Sequence, residues 1–239
     1  MRDRLVTYAL FFGSGLASLT CEVVWFKQLG FVLGSSTFSA SVVVACFFGG
    51  LSIGSLALGW VADRVRRPLV AYAIAEGSLA AVSLGTTALL SAWDRWIGLF
   101  TPWMSLDADG SRPLKVALAT AILLPPTVLM GGTLPILARW LVRTRDDLGA
   151  SIGSLYATNT LGAAIGCALV GWVWIGWLGV SGSAALASAI YAGIAVVALG
   201  LARRSPVAPG AIAPEAVPVG APAPGPLPAL LIALFGVSG

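Results

Sequence analysis

The sequence reads as an all-α polytopic membrane protein on three observations. Of the 239 residues, 58% are hydrophobic and only 10% charged, with a mean hydropathy of +0.92. The apolar residues gather in runs of about 20 or more, the length a helix needs to cross a bilayer. The basic residues sit in short clusters between those runs. A soluble domain carries about 25% charged residues. This chain lacks the charge to coat a water-facing surface, so lipid is the solvent left for its apolar side chains. Its 29 glycines suit close helix packing in a bilayer.

The spans come in order. Leu5 to about Leu33 is the first and is long. It continues well past the h-region of a signal peptide, with no cleavage pattern behind it, and reads as a retained helix. Phe38–Ala62 is the second span, Leu69–Trp93 the third, Leu114–Leu141 the fourth, Ile152–Trp177 the fifth and Ser181–Leu201 the sixth. A seventh run begins at Leu227 and reaches Gly239. At about 1.5 Å per residue it measures roughly 20 Å, short of a hydrocarbon core of about 30 Å. The expectation is a truncated seventh helix of a longer protein. The domains are then a six-helix bundle (1–201), a cytoplasmic Pro/Ala/Gly-rich linker (202–226) that proline density keeps extended, and the start of a seventh helix (227–239).

Basic residues set the orientation. With the N-terminus inside, the cytoplasmic segments hold Arg2, Arg4, Arg64, Arg66, Arg67, Arg139, Arg143, Arg145, Arg203 and Arg204. The other side holds Arg95, Arg112 and Lys115. This asymmetry places the N-terminus in the cytoplasm, in an inner-membrane protein. The net charge of +4 is thereby topology information and no nucleic-acid face. The external segment Trp93–Pro113 carries Trp93, Trp96 and Trp103. It predicts a short interfacial helix near Ala92–Phe100 and an acidic loop at Ser105–Ser111, either an aromatic belt or an external contact surface.

There is no histidine, and Cys21, Cys46 and Cys167 all lie inside apolar runs. No metal site, cofactor or catalytic constellation is expected. Ionisable groups inside a bilayer are costly and therefore candidates for function. Glu22 shares the first span with Lys27; the two either set helix depth or offer a counter-charge to a cation. Glu76 lies about 10 Å into the third span with no basic residue one turn away. It either bonds a neighbouring helix, binds a cation or carries a proton. Tyr156, Thr158, Asn159 and Thr160 form a polar patch on the fifth span, as helix glue or as a ligand-facing surface. Pro125, Pro126 and Pro135 predict a break in the fourth helix, because proline removes a donor and clashes with the turn before it. Gly49, Gly50, Gly54 and Gly59, and the pair Gly162 and Gly166, read as packing surfaces.

Two weaker signals concern architecture. Ala9-Leu-Phe-Phe-Gly-Ser-Gly opens the first span and Ala233-Leu-Phe-Gly-Val-Ser-Gly the seventh, as in a duplicated transporter. The loop Gly59-Trp-Val-Ala-Asp63-Arg64-Val-Arg66-Arg67-Pro68 resembles the signature loop of the major facilitator superfamily. The resemblance implies that Asp63 accepts from nearby amides and that Arg64 or Arg67 pairs with a carboxylate across the bundle.

A wider resemblance covers most of residues 1–201. Gly15-Leu-Ala-Ser-Leu-Thr-Cys-Glu22-Val-Val-Trp25-Phe-Lys27-Gln-Leu-Gly30, Phe48-Gly-Gly-Leu-Ser-Ile-Gly-Ser55, Leu124-Pro-Pro-Thr-Val-Leu-Met-Gly-Gly-Thr-Leu-Pro135 and Gly153-Ser-Leu-Tyr156-Ala-Thr-Asn159-Thr-Leu-Gly-Ala163 carry it. They resemble the membrane part of bacterial fused facilitator/spermidine-synthase proteins. The resemblance implies a six-helix major-facilitator half, followed in the family by a Rossmann domain that binds decarboxylated S-adenosylmethionine and a diamine. No strand followed by a glycine-rich loop occurs in this chain, so no catalytic residue carries over. The expectations are a transporter-like half, itself no enzyme, that binds or moves a polyamine or other small cation through Glu22, Glu76, Tyr156 and Asn159. The alternatives are an accessory subunit packed against other membrane subunits, or the membrane anchor of a spermidine-synthase-like enzyme.

Overall fold

The computed structural model describes residues 2–33, 37–97, 112–141 and 148–204. The chain divides into two units, Met1–Pro209 and Gly210–Gly239, and the described residues all belong to the first. The expected linker beyond Arg204, the seventh run, the acidic loop and Arg143 and Arg145 lie outside the described residues.

Among the described residues all regular structure is helical. The elements are α1 (Arg2–Leu33), α2 (Thr37–Ala62), α3 (Pro68–Ser91), the short α4 (Trp93–Ile97), α5 (Arg112–Leu141), α6 (Leu148–Leu169) and α7 (Ile175–Arg204). A single π turn, Val170–Trp174, joins α6 to α7. Five stretches are long and apolar enough to cross a membrane, and the last of them, Gly149–Arg204, is 56 residues long. At 1.5 Å per residue it would measure about 84 Å, far more than one crossing. Gly179 divides it, with φ 70° and ψ −179°. Glycine has no Cβ to oppose that conformation.

Packing shows that the chain reverses there. Tyr8 Oη and Ser154 Oγ hydrogen-bond at 2.8 Å, and Asn159 Nδ2 donates to the Phe11 carbonyl at 3.0 Å. Gly162 and Gly166 lie against the backbone of Phe12 and Leu16. Numbers rise together, so α1 and α6 run parallel. On α7 the order is opposite: Ile194 lies against Gly13, while Tyr191 Oη hydrogen-bonds Ser18 Oγ at 2.9 Å. The fifth and sixth expected spans are thus two antiparallel legs, divided within the expected gap.

The other directions emerge in the same way. Trp25 meets Thr87 and Gln28 meets Ser91, so α3 runs with α1. Only five residues separate α2 from α3, so α2 ends where α3 begins and runs against α1. Cys46 meets Thr120 and Gly59 meets Pro135, so α5 runs with α2. One end of the bundle therefore gathers Arg4, Arg64, Arg66, Arg67, Arg139, Arg203 and Arg204. The opposite end carries Trp25, Trp93, Trp172, Trp174 and Trp177.

The glycine contacts repeat by a two-fold rule. Gly54 of α2 lies on the Val128 carbonyl of α5, and Gly131 of α5 lies on the Leu51 carbonyl of α2. Gly162 of α6 lies on the Phe12 carbonyl of α1, and Gly15 of α1 lies on the Asn159 carbonyl of α6. In all four helices the paired positions are three residues apart. The α1/α6 and α2/α5 pairs therefore share one interface geometry, as an internal repeat of three helices produces. A Cβ at any of these glycines would strike a carbonyl of the facing helix. Lipid supplies no hydrophobic drive for helices to associate, so close backbone approach has to.

The prolines do not break α5, which is helical from Arg112 to Leu141 with Pro125, Pro126 and Pro135 inside it. This corrects the expected break. The contact with α2 extends across this stretch through Gly50 and Thr127, Gly54 and Val128, and Gly59 and Pro135. Thr127 Oγ1 donates back to the Leu123 and Leu124 carbonyls at 2.9 and 3.0 Å. The facing α2 helix, packed along this stretch, holds the proline-containing turns in place.

Candidate functional site

A run of buried polar residues lies along one seam between α1, α3 and α7. On α1 they are Ser14, Ser18, Cys21, Trp25 and Gln28, spaced by four, three, four and three residues, which keeps them on one helix face. Tyr72, Glu76, Ser83, Thr87 and Ser91 face them from α3, and Ser188 and Tyr191 lie on α7. Glu76 is fully buried, as are Tyr72, Ser83 and Tyr191. Eight residues from the start of α3, it lies about 12 Å along the helix from the arginine-bearing end, near the middle of a span.

From Glu76 the seam runs toward the tryptophan-bearing end. Tyr72 and Ser14 flank the carboxylate without completing a hydrogen bond to it. Tyr191 of α7 hydrogen-bonds Ser18 Oγ. One turn on, the Cys21 thiol lies beside Ser83. One turn further, Trp25 Nε1 donates to Thr87 Oγ1 at 3.1 Å. Gln28 Nε2 then donates to the Thr87 carbonyl at 3.1 Å and to Ser91 Oγ at 2.8 Å. Ser91 is exposed.

Toward the arginine-bearing end the seam stops. Leu10, Phe11, Leu69, Leu137, Leu141, Ile194 and Ala198 close it as a single apolar cluster with Tyr72.

The expected site residues do not assemble. Glu76 belongs to the seam. Glu22 is only partly buried on α1, outside the spacing that defines the seam. Tyr156 is exposed, at 63%, on α6. Asn159 joins α6 to α1 through the Phe11 carbonyl, the helix-glue role. In the turn after α2, Arg64 stacks over its own neighbour Trp60 at 3.5 Å and donates to the Trp60 carbonyl at 2.7 Å. The cross-bundle ion pair is instead Asp63 with Arg139 of α5, at 3.9 Å. Arg67 is exposed at the N-terminus of α3, where Val70 and Ala71 donate to its carbonyl. An arginine side chain turned back on its own helix cannot also reach a carboxylate across the bundle.

Sequence reasoning alone misses Ser14, Ser18, Tyr72, Ser83, Ser188 and Tyr191. The alternating four-three spacing of small polar residues on α1 is the signal that could have found them. A groove of about 440 Å³ also lies between α3 and α5, lined by Val82, Gly85, Thr86, Leu118, Ile122 and Pro125 among others. It is almost wholly apolar and does not include Glu76.

The fold and seam define a helical bundle of membrane-crossing length with a polar interior. No protein-family profile matches the sequence, and no solved structure does. Two curated proteins of Streptomyces coelicolor match. Polyamine aminopropyltransferase 2 is 32% identical over 204 residues, covering 84% of this chain and 35% of that protein. Polyamine aminopropyltransferase 1 is 29% identical over 138 residues, covering 57% of this chain and 22% of that protein. The chain thus spans about a third of the length of the first and about a fifth of the second, and is homologous to both at modest identity. The expectation that this chain is no enzyme is overturned by these relatives, since both bear the name of one.

Proposed function

We propose that this chain is the membrane-embedded section of a polyamine aminopropyltransferase-type protein. The observation that carries the reading is its similarity, over 84% of its length, to a protein of that name. The bundle has the character such a section needs: helices of crossing length, tight glycine interfaces and, among the described residues, arginines confined to the ends. On this reading residues 1–201 are a six-helix bundle of the major-facilitator-half type, which the two-fold glycine pattern supports. Residues 202–226 are a cytoplasmic linker. The arginine-bearing end faces the cytoplasm and the tryptophan-bearing end faces outward across the inner membrane. A polyamine-transport role has less support, because Glu76 is fully buried and Glu22, Tyr156 and Asn159 do not join it.

Membranes from cells expressing the full-length protein should transfer aminopropyl groups from decarboxylated S-adenosylmethionine to putrescine. Deleting residues 2–204 should move the activity to the soluble fraction. Membranes no more active than vector controls would refute the enzymatic reading. Activity that is soluble with the bundle intact would refute the anchoring.

A further inference from the structure

We propose that the α1–α3–α7 seam is a proton half-channel, a hydroxyl-lined path that takes up water from the tryptophan-bearing end and ends at Glu76. The strongest observation is where unsatisfied oxygens fall. Among the described residues, the buried side-chain oxygens without a hydrogen-bond partner are Gln28 Oε1, Tyr72 Oη, both carboxylate oxygens of Glu76, Ser83 Oγ and Ser188 Oγ. All of them lie on the three helices of this one seam. Buried polar groups in proteins are otherwise almost always paired, commonly by water. A random scatter of packing faults would not line up along one inter-helix path.

The chemistry suits a proton better than a larger cation. The groups beside Glu76 are Tyr72 from α3 and Ser14 from α1, with Tyr191 of α7 the next titratable group. The ionisable residues of α5 are Arg112, Lys115 and Arg139, close to its ends. No cationic side chain answers the carboxylate among the described residues, and a carboxylate in an apolar interior is most stable with a proton bound. A proton needs no cavity. Hydroxyls and waters pass it by accepting one proton on a lone pair while releasing another, so each link ends uncharged and only Glu76 changes its proton count.

The path has one mouth. Ser91 is exposed at the tryptophan-bearing end, whereas toward the other side Phe11, Leu69, Leu137 and Leu141 pack with Tyr72, and the next buried hydroxyl of α1, Thr7, donates to the Asp3 carbonyl of its own helix. A continuous polar path would leak protons across the membrane. A half path ending at a carboxylate gives access from one side only.

The test is infrared spectroscopy of the full chain in bilayer discs, with Glu76→Gln to assign the band of the protonated carboxyl. After mixing with deuterium oxide, the wild-type band should shift promptly. In the Ser83→Ala/Ser188→Ala double variant, exchange should slow roughly tenfold, the rate equivalent of one lost hydrogen-bonded step. Thr87→Val, at the mouth, should slow it too and serves if the double variant does not fold. Absence of a Glu76-dependent band would overturn the proposal, because no proton would be held there. A band that exchanges slowly in the wild type, or equally fast in the variants, would overturn the path.

Discussion

Among single residues, burial and partners decide what each polar group does. Asn159 makes one identified hydrogen bond, to the Phe11 carbonyl. Such bonds between membrane helices contribute about 0.6 kcal/mol on average. Asn159→Ala should therefore lower unfolding stability in detergent by roughly 0.5–1.5 kcal/mol. A loss several times larger would mean that it does more than join two helices. Glu76→Gln preserves the shape of the protonated carboxyl and, like it, carries no charge, so the variant should fold and melt no earlier than wild type. Glu76→Lys puts a longer, charged side chain into a sealed core and should fail to yield a folded bundle. The Asp63–Arg139 pair sits at 3.9 Å with Asp63 77% exposed. Exposed pairs contribute about 0–1 kcal/mol. Asp63→Asn should consequently change stability by less than about 1 kcal/mol, and high salt should erase the difference.

Among elements, the helices are legible in the sequence because each is a local property of composition. Mean hydropathy over some twenty residues locates a span wherever it packs. Boundaries at Ala62, Ser91 and Leu141 fall within two residues of those expected. The short helix Trp93–Ile97 lies inside the predicted interfacial segment. The α5 prolines mislead because proline's helix-breaking effect of about 3 kcal/mol is measured without a neighbour. Here α2 lies along the whole turn. The glycines read as packing surfaces in one dimension, but only the structure shows which carbonyl each one meets. Gly54→Leu and Gly162→Leu should each destabilise by about 1–3 kcal/mol or more through overpacking. Gly153→Ala, where an added Cβ meets nothing within 4 Å, should be close to neutral. Chemical unfolding of the three variants side by side checks this. Equal effects at all three positions would argue against the glycine interfaces as the source of helix pairing.

For the molecule as a whole, the arrangement of ends makes a topological prediction. Single cysteines introduced in a cysteine-free background at Arg66 and Arg203 should be labelled only from the cytoplasmic side of intact cells. One at Trp177 should be labelled from outside. Labelling of all three from one side would contradict the six-leg path through Gly179.

The one-dimensional pattern carries the expectation about solvent: too few charges for water, runs long enough for lipid, and arginines clustered between them. These are sums over neighbours in the chain and need no knowledge of which helix touches which. The partnership of polar groups is a different matter and belongs to the packed bundle. Glu76 stands out in the sequence as an odd residue, but Ser14, Ser18, Tyr72, Ser83, Ser188 and Tyr191 become a seam only when three helices meet in one register. That register is seen in contacts such as Gly13 with Ile194, Gly77 with Ala195 and Trp25 with Thr87, which join residues more than sixty positions apart. A serine or tyrosine in an apolar run looks the same in one dimension whether it faces lipid, a neighbouring backbone or a buried carboxylate. Only the packing of helices tells these apart.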